Sequence, residues 1–122
     1  MDEYRKLLNQ SKMMIFLSEH ESQGLACQEC LSCNVPVMAW DQGCWLDPIR
    51  FRYGKPYVPA TSVPYFDERC GDTFVDFGEF MSKFDVFYEN AVSGKFQPRE
   101  YILEHLTIDK STDRLLEIYK SI

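Results

Sequence analysis

An α/β domain with a small parallel sheet and a helical C-terminal tail is the fold class this sequence predicts. Three observations carry that expectation. Two short apolar runs, Met13-Met-Ile-Phe-Leu17 and Val35-Pro-Val-Met-Ala39, flank a segment of helical periodicity, and a long aromatic pattern of helical period follows Asp76. Strand, helix and strand of that size form a βαβ unit, whose parallel strands bring the loops after Leu17 and Ala39 to one edge of the sheet. The 122 residues suit a single domain able to bury a core without staples.

Taken in order, Tyr4, Leu7 and Leu8 recur at helical spacing, so a short helix over residues 2–10 precedes the first strand. The polar stretch 18–23 ends that strand, and Gly24 opens a new helix. Along residues 25–33, steps of about 100° per residue gather Ala26, Cys27, Cys30, Leu31 and Cys33 on one apolar arc, with Gln28 and Ser32 opposite and Glu29 at the margin. Asn34 tolerates the left-handed conformation that ends helices, and the second strand follows. From Trp40 to Gly71 the prolines Pro48, Pro56, Pro59 and Pro64 interrupt any period, so short strands and loops are expected. Asp76 caps a long helix whose Phe77, Phe80, Met81, Phe84, Phe87, Tyr88, Ala91 and Val92 form a core stripe up to Gly94. Pro98 suits the first position of a helix reaching residue 106. Asp109 or Ser111 can start a last one carrying Leu115, Leu116, Ile118 and Tyr119, so residues 76–122 form the tail.

Composition narrows the function. Apolar residues at 45% and charged residues at 26% exclude a disordered chain. A net charge of -6 with 13 scattered basic residues argues against nucleic-acid binding. No apolar run reaches the roughly 20 residues of a membrane span, and Met1-Asp-Glu-Tyr-Arg-Lys lacks the apolar core of a secretion signal, so a cytoplasmic protein is expected. Five cysteines, an odd number, then read as reduced thiols.

The chemistry concentrates in Glu21-Ser-Gln-Gly-Leu-Ala-Cys-Gln-Glu29. Glu21 falls on the loop after the first strand, and Glu29 on the helix, roughly 7 Å along its axis from Gly24. Between them lie the first-turn amides of the helix, which have no internal partner and attract anions. A carboxylate such as Glu29 can accept both hydroxyls of a ribose. Other polar and aromatic groups read more simply: His20 as a loop residue, His105 as a partly buried one, Arg50 and Arg52 as solvated, Trp40 and Trp45 as packing groups. Cys27-x2-Cys30-x2-Cys33 mimics part of an iron–sulfur run, yet on a helix Cys27 and Cys33 stand about 9 Å apart along the axis, which favours packing over a shared metal.

The segment 11–43 resembles, without gaps, the donor-binding core of retaining GT-B glycosyltransferases, the glycosyl transferases group 1 family. That pattern has a strand, Glu-Gly-Phe-Gly-Leu, three residues, Glu-Ala, a small pair, then Cys-Gly-Val-Pro-Val and a strand leading to a glycine loop. Glu21, Gly24, Leu25, Glu29, Cys33, Val35, Pro36 and Val37 stand on matching positions. The chain departs from it at Ser22, Gln23, Asn34 and Cys44.

The resemblance implies a partial Rossmann-like domain, the latter half of a C-terminal nucleotide-sugar-binding domain. It implies that Glu21 contacts the donor sugar as the catalytic positioning residue, with no protein nucleophile. Ser22, Gln23, Gly24 and Leu25 complete the donor cradle, whose Gln23, Gly24 and Leu25 amides hold sugar or phosphate oxygens, and Glu29 binds the ribose. The donor would be a UDP, GDP or ADP sugar, without cofactor or metal. The acceptor would be a glycan or lipid-linked group held by an N-terminal acceptor domain outside this sequence, in an enzyme that can be membrane-peripheral. This chain alone is expected to be inactive. A cysteine-based metal or iron–sulfur module and a protein-interaction domain, dimerising through the exposed last helix, are the other readings.

Overall fold

The computed structural model describes residues 2–122 and has the expected α/β architecture, a partial Rossmann-like fold. Helix α1, Asp2–Gln10, leads into strand β1, Met14–Phe16. Helix α2, Leu25–Ser32, returns to strand β2, Val37–Trp40. After a 3-10 helix at Pro48–Tyr53 come strand β3, Gly71–Phe74, and helices α3, Phe77–Val92, α4, Pro98–His105, and α5, Ile108–Lys120. The sheet is all parallel in the order β1-β2-β3, with Met14 opposite Val37 and Val37 opposite Gly71.

Most boundaries follow from local chemistry. Asn34 takes φ 60° and closes α2. Asp76 accepts the Glu79 amide at 2.8 Å and starts α3. The last helix departs from expectation, because the Thr107 hydroxyl accepts the Lys110 amide and moves the start ahead of Asp109 and Ser111. A larger difference is β3, a strand for which the sequence pattern gave no signal of its own. Its Thr73-Phe74-Val75 stretch has β-forming residues, but too few for a visible alternation.

Two clusters make the core, one on each face of the sheet. On the α2 face, Leu8, Cys27, Cys30, Leu31, Val35, Val37, Ala39, Val63 and Cys70 are buried together. Leu31 is fully enclosed, a burial that contributes about 2 kcal/mol. On the α3 face the cluster is Met38, Phe74 and Phe87, with Met13, Trp40, Phe80, Phe84 and Phe96 packed around it. The long aromatic stripe is therefore core only in part: Phe87 is 2% exposed, whereas Phe77 is 74% exposed and Met81 58%. Helix α3 packs on the sheet through its Phe80, Phe84 and Phe87 side, and Phe77 and Met81 lie off that side toward solvent.

An ion cluster ties the approach to β3 to α4. Arg69 forks onto Asp67 at 2.7 Å and reaches Glu104 at 2.6 Å, while its guanidinium lies over the Tyr101 ring. His105 packs beside that ring at 4.7 Å. Among the described residues, no helix is long and apolar enough to cross a membrane.

Candidate functional site

The parallel ladder puts the loops after β1, β2 and β3 at one end of the sheet, where α/β sheets bind ligands. The first loop is braced internally. Ser18 Oγ donates its one proton between Glu21 Oε1 at 3.1 Å and the His20 carbonyl at 3.2 Å. The Glu21 amide donates to the Thr61 carbonyl at 2.9 Å. Glu21 is thus held at half burial, while Ser22 and Gln23 are exposed and the Gln23 carbonyl accepts Gln28 Nε2 at 2.7 Å.

Gly24 is buried at the start of α2 with φ 70°, a conformation in which an L side chain is strained. Among the described residues no side chain caps that helix end, and its first turn holds no acidic residue. Leu25 follows at 61% exposure. The first-turn amides of α2 therefore have no side-chain acceptor among the described residues, and Pro64 packs against Gly24.

The second loop centres on Asp41, immediately after β2. Its carboxylate accepts the Thr61 hydroxyl at 2.5 Å, the Gly43 amide at 3.1 Å and the Ser62 amide at 3.4 Å. Thr61 therefore joins both loops, through its carbonyl to Glu21 and through its hydroxyl to Asp41. Next to it, Ser62 is fully buried and its hydroxyl has no partner. Sequence reasoning missed this knot. The Asp41-Gln-Gly43 turn just past a strand was the available signal, but Thr61 lies 20 residues away in a segment without pattern.

Glu29 sits elsewhere. It is exposed on the flank of α2, where it lines a cavity of about 330 Å3 with Tyr4, Arg5, Leu8, Ser32, Cys33 and Arg99. Glu21 is not among those walls. The structure brings Glu21, Ser22, Gln23, Gly24 and Leu25 together at the sheet end and sets Glu29 beside a different opening. A third space, an apolar hollow of about 400 Å3 at the same sheet end, is lined by Leu17, Trp40, Gln42, Phe74, Val75, Asp76 and Phe77.

Three of the five cysteines, Cys27, Cys30 and Cys70, are buried free thiols. Burial pushes the Cys27 thiol up to about 12 and those of Cys30 and Cys70 to about 11, so all three stay protonated at neutral pH. Cys27 and Cys30 pack within the α2-face core. Among the described residues, no three His, Cys, Asp or Glu side chains converge as a metal-ligand set. His20 meets Trp45 edge-on at 6.3 Å.

Compared with known proteins, the chain matches no family model, no curated protein and no solved structure.

Proposed function

We propose that the sheet end binds the diphosphate sugar of a nucleotide-sugar donor, as the donor side of a retaining glycosyltransferase whose acceptor side lies outside this chain. One observation carries the reading: the uncapped start of α2, opened by a left-handed Gly24 and bordered by the braced Glu21. Free first-turn amides favour a diphosphate by about 1 kcal/mol through the helix dipole, before direct hydrogen bonds are counted. Glu21, steadied by Ser18 and by its own amide on Thr61, then orients the sugar hydroxyls. Glu29 acts from the flank of α2, and the ribose must lie along that helix toward Arg5 and Arg99 to meet it. The sequence pattern of residues 21–37 supplies the choice of a sugar nucleotide over other anions.

Titration with UDP-, GDP- and ADP-glucose, followed by amide chemical shifts, tests the reading. Shifts at Gln23, Gly24 and Leu25, lost in Gly24→Val with the rest of the spectrum retained, are the expected result. Unchanged shifts at millimolar ligand overturn it. Shifts confined to Arg5, Glu29 and Arg99 relocate the anion to the flank cavity and equally overturn the role of Glu21.

A further inference from the structure

The two outer strands of the sheet differ in how their free backbone groups are treated. In the β2–β3 ladder, Thr73 and Val75 turn their amides away from β2. Side chains meet them there: Asp72 Oδ1 accepts the Thr73 amide at 2.7 Å, Lys83 Nζ donates to the Thr73 carbonyl at 2.8 Å, and Glu79 Oε2 accepts the Val75 amide at 2.7 Å. That edge is closed to another strand by charged groups.

The β1 edge has no such cover. The Met14 amide bonds the Pro36 carbonyl, so by alternation the amide and carbonyl of Met13, Ile15 and Leu17 face outward. Among the described residues, no side chain of the chain bonds them. Their side chains belong to the α3 face, where α3 covers β3 and β2 but leaves Ile15 at 41% and Leu17 at 71% exposure. Parallel sheets are ordinarily covered on both faces. An uncovered apolar strand with open hydrogen-bonding groups is a pairing surface.

We propose that β1 pairs with β1 of a second copy of this chain, antiparallel about a twofold axis through Ile15, to give a continuous six-stranded sheet. The strand is self-complementary about that residue. Met13 stands opposite Leu17 of the other copy, and the outward amide and carbonyl of Ile15 exchange two hydrogen bonds with their equivalents. Charge agrees as well: Lys12 precedes the strand and Glu19 follows it, both exposed and neither in an ion pair within the chain among the described residues. The twofold sets Lys12 of each copy beside the Ser18-Glu19 step of the other, at both ends of the pair. Helix α5 also exposes apolar groups, Leu115 and Tyr119 among them, but its backbone groups are bonded within the helix and offer a partner strand nothing to pair with.

Sedimentation equilibrium over about a hundredfold range of concentration decides the matter, with circular dichroism checking that each variant is folded. The expected wild-type result is a concentration-dependent doubling of mass. Ile15→Lys, which sets two cations on the axis, abolishes it. Lys12→Glu and Glu19→Lys each weaken dimerisation about tenfold by creating like-charge pairs, and the double swap restores it. The Ile15 amide becomes protected from hydrogen exchange only in the dimer. A monomer at every concentration overturns the proposal. So does a dimer indifferent to Ile15→Lys, or one lost on Leu115→Lys, which assigns the contact to α5.

Discussion

Thr73 and Ile15 both turn their backbone groups outward on opposite edges of one sheet, yet Thr73 is bonded at both its amide and its carbonyl by charged side chains, whereas Ile15 offers both groups to whatever approaches. The groups that close the β3 edge are local in sequence. Asp72, Glu79 and Lys83 come from β3 itself and the first two turns of α3, and Lys83 also pairs with Glu79 at 2.9 Å. On the β1 side the preceding helix turns inward through Leu8, and no charged side chain of the described residues bonds the outward backbone groups of the strand. An edge is therefore closed or left adhesive by the side chains that its own strand and neighbouring helix supply, and the same backbone geometry serves both outcomes.

The largest expected effect breaks the β3 side at its start. Gly71 holds φ +144°, and a Cβ there would lie 1.9 Å from the Val37 carbonyl oxygen. Gly71→Ala should destabilise the protein by about 3 kcal/mol or more in urea unfolding, because backbone cannot step aside. Ile15→Ala on the other edge should cost under about 1 kcal/mol, since the side chain is already partly solvated. Similar losses for the two would remove the contrast in how firmly the edges are built.

A smaller change should convert the closed edge into an open one. Lys83→Met removes the donor to Thr73 and the partner of Glu79, for a stability loss of about 0.5 kcal/mol given its partial exposure. The more telling readout is association: this variant should self-associate more than wild type, and light scattering would register it. No increase would mean that Asp72 and Glu79 suffice.

The smallest effect is a pH dependence confined to one edge. The Glu79 carboxyl is held below its ordinary value of 4.5, first by Lys83 and then by the Val75 amide. A carboxyl lowered in the folded state contributes stability that is present above 4.5 and lost as pH falls through the folded value. Going from about pH 6 to about pH 3, at concentrations that keep the chain monomeric, exchange of the Val75 amide should therefore accelerate relative to its intrinsic rate, while that of Ile15 should not. Equal behaviour of the two amides would show that Glu79 does not guard the edge.

Legibility in the sequence tracked the range of the interactions. The first βαβ unit, the capping of α3 by Asp76 and the left-handed Asn34 were readable because each depends on residues within a few positions. The segment Glu21 to Leu25 was readable as a loop feeding a helix start for the same reason. The Thr61–Asp41 link, the uncovered α3 face and the placement of Glu29 beside Arg5 and Arg99 were not, since each joins elements that only packing brings together.

By itself the sequence determined an α/β chain with a glycine-opened helix after its first strand and three helices at its end, because periodicity and caps act along the backbone. Only the tertiary structure decided that Gly71–Phe74 is the third strand, that half of the aromatic stripe faces solvent, and that one sheet edge is closed and the other open. Those outcomes depend on which surfaces meet, and a side chain is buried or bonded according to its neighbours in space, which no local pattern encodes.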